Sequence, residues 1–194
     1  MGLQVLEFFF HHREFNLIFA PHVVLFKRAV RHGAFLPGKY RRAPNIRIDT
    51  GSDASIDMAY LLAADIYLGD VSSQVYEFLL QPRPCIFLNG HHVDWQGNPS
   101  YYHWRMGQVV DTIEPGLSQA LEQVFTTHHR YLETQREAFA YTFHTDPGSM
   151  AAGRGAKAIA DYLYLKTQRQ PVSIGKEVPD KSRAGSISAD ASMW

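Results

Sequence analysis

Short apolar runs that alternate with helical segments limit the folds open to this chain more than any other feature. The runs that predict strands hold at most six residues, a length typical of a buried strand. Segments with helical spacing separate or follow these runs and predict helices over residues 23–32, 55–64, 74–80, 117–125, 128–143 and 151–166. The pattern predicts an α/β fold, with a Rossmann-like, doubly wound parallel sheet. The predicted strands are residues 15–20, 45–49, 66–69, 85–88 and 108–110.

Composition excludes several classes of function. The chain has 194 residues, and its 19 Lys and Arg balance its 19 Asp and Glu, so no net field favours nucleic acid. No apolar stretch approaches the eighteen or so residues that a membrane span needs. The single cysteine, Cys85, lies in an apolar run and cannot form an internal disulfide, which predicts a cytoplasmic protein.

Composition also predicts the domain organisation. Residues 1–14 form an apolar lead-in, which we interpret as the remnant of a missing N-terminal domain. Residues 15–167 form the Rossmann-like domain. Residues 168–194 are rich in Ser, Gly, Lys and Asp, and this composition predicts a disordered tail.

The segment that follows the third strand carries the strongest chemical signal. Gly69-Asp70-Val71-Ser72-Ser73 joins this strand to a helix predicted over residues 74–80. Free N–H groups at such a helix start, with two serine hydroxyls and Gln74, suit a diphosphate. Glu77 follows one turn later, where a carboxylate can hold a ribose diol. The competing interpretation is a serine cap on an ordinary crossover helix.

Two other strand ends are predicted to face the same crevice. His22 follows the first strand and is a candidate for phosphate contact or proton transfer, although a structural histidine in a turn fits equally. Asp49 and Ser52 follow the second strand and are candidates for holding a base or ribose, whereas Ser52 and Asp53 are alternatively caps of the helix predicted over 55–64. The histidine- and tryptophan-rich insertion over 90–103 is too polar and irregular for a helix or strand, and it lacks tight ligand spacing, so we expect no metal site there.

The run ADIYLGDVSSQVYEF at residues 64–78, followed by PCIFL at 84–88, resembles the carboxyl-terminal domain of the CDP-glycerol glycerophosphotransferase family. The family has the pattern a-D-x-L-I-T-D-Y-S-S-x-x-x-D/E-f, followed by k-P-i-i-f. The likeness extends over roughly residues 15–165. The chain differs at Val71, where the family usually has tyrosine, and in the insertion over 90–103.

The resemblance implies the donor-binding half of a GT-B transferase. Such an enzyme moves a glycerol-phosphate or sugar unit from a nucleotide-activated donor, such as CDP-glycerol, to a polysaccharide, teichoic-acid-like or lipid-linked acceptor. It implies that Ser72 and Ser73 bind phosphate, that Glu77 binds ribose, that His22 assists transfer and that Asp70 shapes the turn.

It also implies metal-independent chemistry and peripheral association with the inner face of the membrane. The acceptor site would come from an amino-terminal domain, so this chain alone would bind without turnover. A UDP-GlcNAc 2-epimerase-like enzyme and a truncated nucleotide-binding module remain alternatives.

Overall fold

A computed structural model of the protein describes residues 1–22, 24, 26–27, 31, 36–143, 148 and 150–169. The chain divides into two compact units, Met1–Thr145 and Asp146–Trp194. Both sheets lie in the first unit, and each unit is considered separately.

The helices and strands of the first unit alternate along the chain, as the apolar runs predict. Its α-helices and strands are, in chain order, α1 (Gly2–His11), β1 (Leu17–Phe19), α2 (Gly38–Arg41), β2 (Ile46–Ile48), α3 (Ala59–Ala63), β3 (Tyr67–Gly69), α4 (Gln74–Phe78), β4 (Cys85–Leu88), β5 (Gln108–Val110), α5 (Ser118–Thr127) and α6 (Leu132–Thr142). Short 3-10 helices span Asp53–Ser55, Pro99–Met106 and His128–Arg130, and one π-helical turn spans Ile113–Leu117. The second unit contributes α7 (Ala151–Arg169).

The strands confirm the α/β class and the parallel pairing, but they form two small sheets. β1 pairs with β2, with Leu17 opposite Ile46, and the second sheet has the order β3-β4-β5. The two sheets share one hydrophobic core, since Leu17 and Ile46 belong to the same buried cluster as Ile86 of β4. All five predicted strands are thus present within the described residues, divided between two sheets.

Three predicted elements differ from the structure. The helix predicted over 55–64 is interrupted, because Met58 takes a left-handed conformation (φ 66°) and Asp57 accepts a hydrogen bond from the Ala59 N–H at 3.0 Å. The helix predicted over 128–143 begins as a 3-10 turn. The insertion, expected to be irregular throughout, contains the helix Pro99–Met106, which starts at a proline and is capped by the Asn98 side chain.

The structure also draws different boundaries from those predicted. α1 buries Val5, Leu6, Phe8 and Phe9 in the core of the first unit, so residues 1–14 are an integral part of that unit. α7 lies in the second unit, whereas the predicted domain extended to residue 167. Six of the ten residues of the predicted helix over 23–32, and all but two residues of the predicted tail over 168–194, lie outside the described residues.

Candidate functional site

A cavity of about 370 Å³ lies where the two sheets meet. All three residues of β1 line it, and Leu68 and Gly69 of β3 line it as well. β1 of the first sheet and β3 of the second therefore both border the cavity. Ligands of open α/β sheets bind outside the carboxyl ends of the strands. Residues that directly follow β1, β3 and β4 line the cavity, namely Ala20, Asp70 and Asn89, so it lies at the carboxyl ends of these three strands.

The turn after β3 forms one wall of this cavity through Gly69, Asp70 and Val71. The buried ring of Tyr67 packs over Gly69, where a Cβ atom would lie 2.7 Å from the tyrosine oxygen. Burial raises the pKa of Tyr67 to about 12, partly offset by a hydrogen bond with Ser72. Gly69 thus permits the close packing that brings the turn to the cavity.

The serine pair continues directly from this wall. Ser72 Oγ accepts a hydrogen bond from the Gln74 N–H at 3.3 Å, whereas Ser73 makes no side-chain cap. The N–H groups of Ser72 and Ser73 donate to no acceptor among the described residues. Both serines lie beyond the lining residues, and α4 has only five residues, so its dipole is small. The two N–H groups and the Ser73 hydroxyl are the donors left to a ligand, because the Ser72 hydroxyl already bonds Tyr67 and the Gln74 N–H.

Glu77 lies one turn further along α4, as predicted. Its side chain is half-buried and makes no hydrogen bond or ion pair with the described residues. Its carboxylate oxygens are therefore free to accept hydrogen bonds from hydroxyl groups of a ligand, but Glu77, like Ser72 and Ser73, does not line the cavity.

Two residues that the sequence did not single out as positioning groups hold the turn from the other side. The Asp70 carbonyl accepts hydrogen bonds from Trp104 Nε1 at 2.9 Å and from His103 Nε2 at 3.3 Å. Both side chains are buried, and burial lowers the pKa of His103, which favours the neutral ring. The insertion over 90–103 and its helix thus fix the backbone of the turn. In the sequence, the high density of aromatic residues after a strand end is the feature that could have indicated this positioning role.

Asp49 and Ser52 are engaged with their own loop. Asp49 Oδ1 accepts the N–H groups of Gly51 and Ser52 at 2.9 and 2.8 Å, and Oδ2 accepts the hydroxyls of Ser52 and Tyr60. These hydrogen bonds, first that of the Ser52 hydroxyl, hold the pKa of Asp49 well below its usual range. Neither residue lines the cavity, and Ser52 makes no side-chain cap on the following helix.

His22 lies at the end of the segment after β1. Its side chain is exposed, and the adjacent Pro21, rather than His22, lines the cavity. Five of the eight residues that follow it lie outside the described residues. The structure therefore places His22 next to the cavity wall without bringing it into contact with Ser72 or Glu77.

Comparison with protein-family models, with curated proteins and with solved structures found no match to this chain. Within the described residues, no group of three or more His, Cys, Asp or Glu side chains is placed to hold a metal ion. No helix in the described part of the chain has both the length and the apolar character needed to cross a membrane.

Proposed function

We propose that this chain is the donor-binding half of a GT-B-type transferase, which moves a glycerol-phosphate or sugar unit from a nucleotide-diphosphate donor. The observation that carries the proposal is the cavity between β1 and β3, with the turn Gly69–Val71 as one wall. A ligand site is expected outside the carboxyl ends of parallel strands, and residues after β1, β3 and β4 line this cavity. The resemblance of residues 64–78 to the glycerophosphotransferase pattern is the second support.

The chemistry of the turn suits a diphosphate. The N–H groups of Ser72 and Ser73 and the Ser73 hydroxyl donate to no described residue, so they are available to anionic oxygens. Because Trp104 and His103 hold the Asp70 carbonyl, these donors are oriented before the ligand arrives. Preorganised donors of this kind stabilise a leaving diphosphate without a metal ion.

The chain also offers groups that suit the nucleoside part of the donor. The cavity has mainly apolar walls and lies within the range of about 300–1,000 Å³ typical of small-molecule sites. The free Glu77 carboxylate suits the two hydroxyls of a ribose. Asp49 and Ser52 have no part in this proposal, because their polar groups are already engaged. A second domain would supply the remaining catalytic groups, so the isolated chain binds the donor without turnover.

Thermal unfolding with and without CDP-glycerol or UDP-GlcNAc tests the proposal. A ligand at 100 times its Kd adds about 2.7 kcal/mol to stability. For a chain of this size that corresponds to a rise in Tm of roughly 5–10 °C.

The double variant Ser72→Ala/Ser73→Ala should lose this rise, and Ser118→Ala, a serine at the start of α5, should keep it. If neither nucleotide raises the Tm of the wild-type protein, the proposal is wrong. Interconversion of UDP-GlcNAc by the complete gene product would instead establish the epimerase alternative.

A further inference from the structure

Two open clefts meet at the exposed ring of Tyr102. The first has a volume of about 930 Å³ and lies between the insertion and β5. The second has a volume of about 750 Å³ and lies between α4 and α6. We call the two together the aromatic trough. Its aromatic residues are Trp95, Tyr101, Trp104 and Tyr131 in the first cleft, Tyr76 and Tyr141 in the second, and Tyr102 in both.

The rings of the first cleft are held in place by the core beneath them. The buried ring of Trp104 packs against Tyr101, with centroids 4.7 Å apart, and against Trp95 at 6.1 Å. The guanidinium of Arg105 lies 5.4 Å from the centroid of Tyr102. These contacts fix half-buried aromatic faces before any ligand binds, which lowers the ordering cost of binding.

The charged groups of the trough narrow the choice of ligand. Arg105 and Asp111 line the first cleft, and Glu137 lines the second, which gives one cation and two carboxylates. A nucleic acid or another polyanion would meet net repulsion here, whereas channels for single strands are strongly basic. The carboxylates can instead accept hydrogen bonds from the hydroxyl groups of a neutral ligand, and the guanidinium can donate hydrogen bonds to them.

The shape of the trough and its aromatic rings both favour a chain of sugar rings as the ligand. Aromatic faces carry negative charge density and attract the C–H groups of a sugar ring. Two clefts that share Tyr102 suit an elongated ligand rather than a single compact one. The polar groups interspersed among the rings distinguish the trough from the contiguous apolar patch typical of a protein-docking surface.

We propose that the aromatic trough binds a neutral oligosaccharide chain, with Trp95 and Tyr102 as its stacking platforms. Binding itself does not depend on the nucleotide site. The trough adjoins the donor cavity, because Tyr101 and Trp104 line both. If the proposed function holds, the bound chain is the acceptor, and the acceptor is a neutral glycan rather than a polyanionic teichoic-acid-like polymer.

Isothermal titration with maltohexaose, cellohexaose and chitohexaose tests the proposal, with tryptophan fluorescence as a second readout. At least one of the three should bind the full-length protein. Trp95→Ala and Tyr102→Ala should each weaken that binding tenfold or more. Tyr164→Ala, which removes an exposed tyrosine of α7, should leave it unchanged. Circular dichroism and the Tm of each variant establish that it is folded.

Failure of all three oligosaccharides to bind would overturn the proposal. Unchanged binding in folded Trp95→Ala and Tyr102→Ala variants would overturn it too, as would tighter binding of a 12-nucleotide oligothymidylate at the same residues. The two proposals are separable in the same experiments. Glycan binding should survive Ser72→Ala/Ser73→Ala, and any nucleotide-dependent rise in Tm should survive Tyr102→Ala.

Discussion

Gln135 of α6 is fully buried, and its side-chain amide bonds the backbone of two other segments. Nε2 donates to the Met106 carbonyl at 2.7 Å and to the Arg83 carbonyl at 3.0 Å, while Oε1 faces His128 Nε2 at 3.0 Å. Gln135→Met keeps the length of the side chain and removes both donor hydrogens. The two carbonyls then lose this donor within the core.

The cost follows from these two acceptors. A buried polar group without its partner costs about 1–3 kcal/mol, and because the contact with the Arg83 carbonyl is only partly buried, the two carbonyls together cost about 2–5 kcal/mol of unfolding free energy. For a chain of this size, that loss lowers the Tm by roughly 5–15 °C. The thioether of methionine replaces part of the packing but none of the hydrogen bonding.

Urea denaturation followed by circular dichroism and tryptophan fluorescence measures this loss. Gln119→Met, an exposed glutamine of α5, is the matched control and should change stability by no more than about 0.5 kcal/mol. A loss for Gln135→Met no larger than that of the control would refute the assignment of Gln135 as the hydrogen-bonding link between α6 and the second sheet.

Three further results are expected. Gly107→Ala should destabilise the protein by about 1–3 kcal/mol in urea melts, because its Cβ would overlap the Cys85 carbonyl; Gly153→Ala, where the added methyl meets open space, should not. The pKa of Glu7 is lowered from 4.5 to about 2, mainly by the hydrogen bond from Lys39. The ionised carboxylate therefore contributes its full stabilisation of the folded state above about pH 4.5, and this contribution is lost as the pH falls towards 2. The stability difference between wild type and Glu7→Gln should shrink over that range, and a constant difference would contradict this. Burial raises the pKa of the Cys85 thiol, so a thiol reagent at pH 8 should react only at the rate of unfolding; prompt reaction would show an accessible thiol.

The strands could be predicted because each one is a short apolar run of neighbouring residues. Their parallel pairing could be predicted because these runs alternate with helical segments along the chain. A run such as Cys85–Leu88 is apolar throughout, and a strand buried on both faces needs no more than that. Helix boundaries were harder to predict from the sequence than strands. The break at Met58 depends on a left-handed backbone conformation that methionine rarely adopts, so propensity and spacing predicted a continuous helix instead.

The candidate site could be predicted only in part. The turn Gly69–Ser73 is contiguous in sequence, so its glycine and serines were recognisable. The hydrogen bonds of Trp104 and His103 to the Asp70 carbonyl join residues more than thirty positions apart, and no local pattern encodes them. Asp49 was a reasonable candidate for ligand binding, yet its oxygens are occupied by partners that include Tyr60, eleven residues away.

By itself, the sequence determined where strands form and where a turn of glycine, aspartate and serine follows a strand, because apolar runs and turn residues act over a few neighbouring positions. Only the tertiary structure decided that the strands form two sheets with a cavity between β1 and β3. It alone brought Trp95, Tyr102 and Glu137 to one trough. Such groupings depend on packing between distant segments, where burial and hydrogen bonding across the fold outweigh local preference.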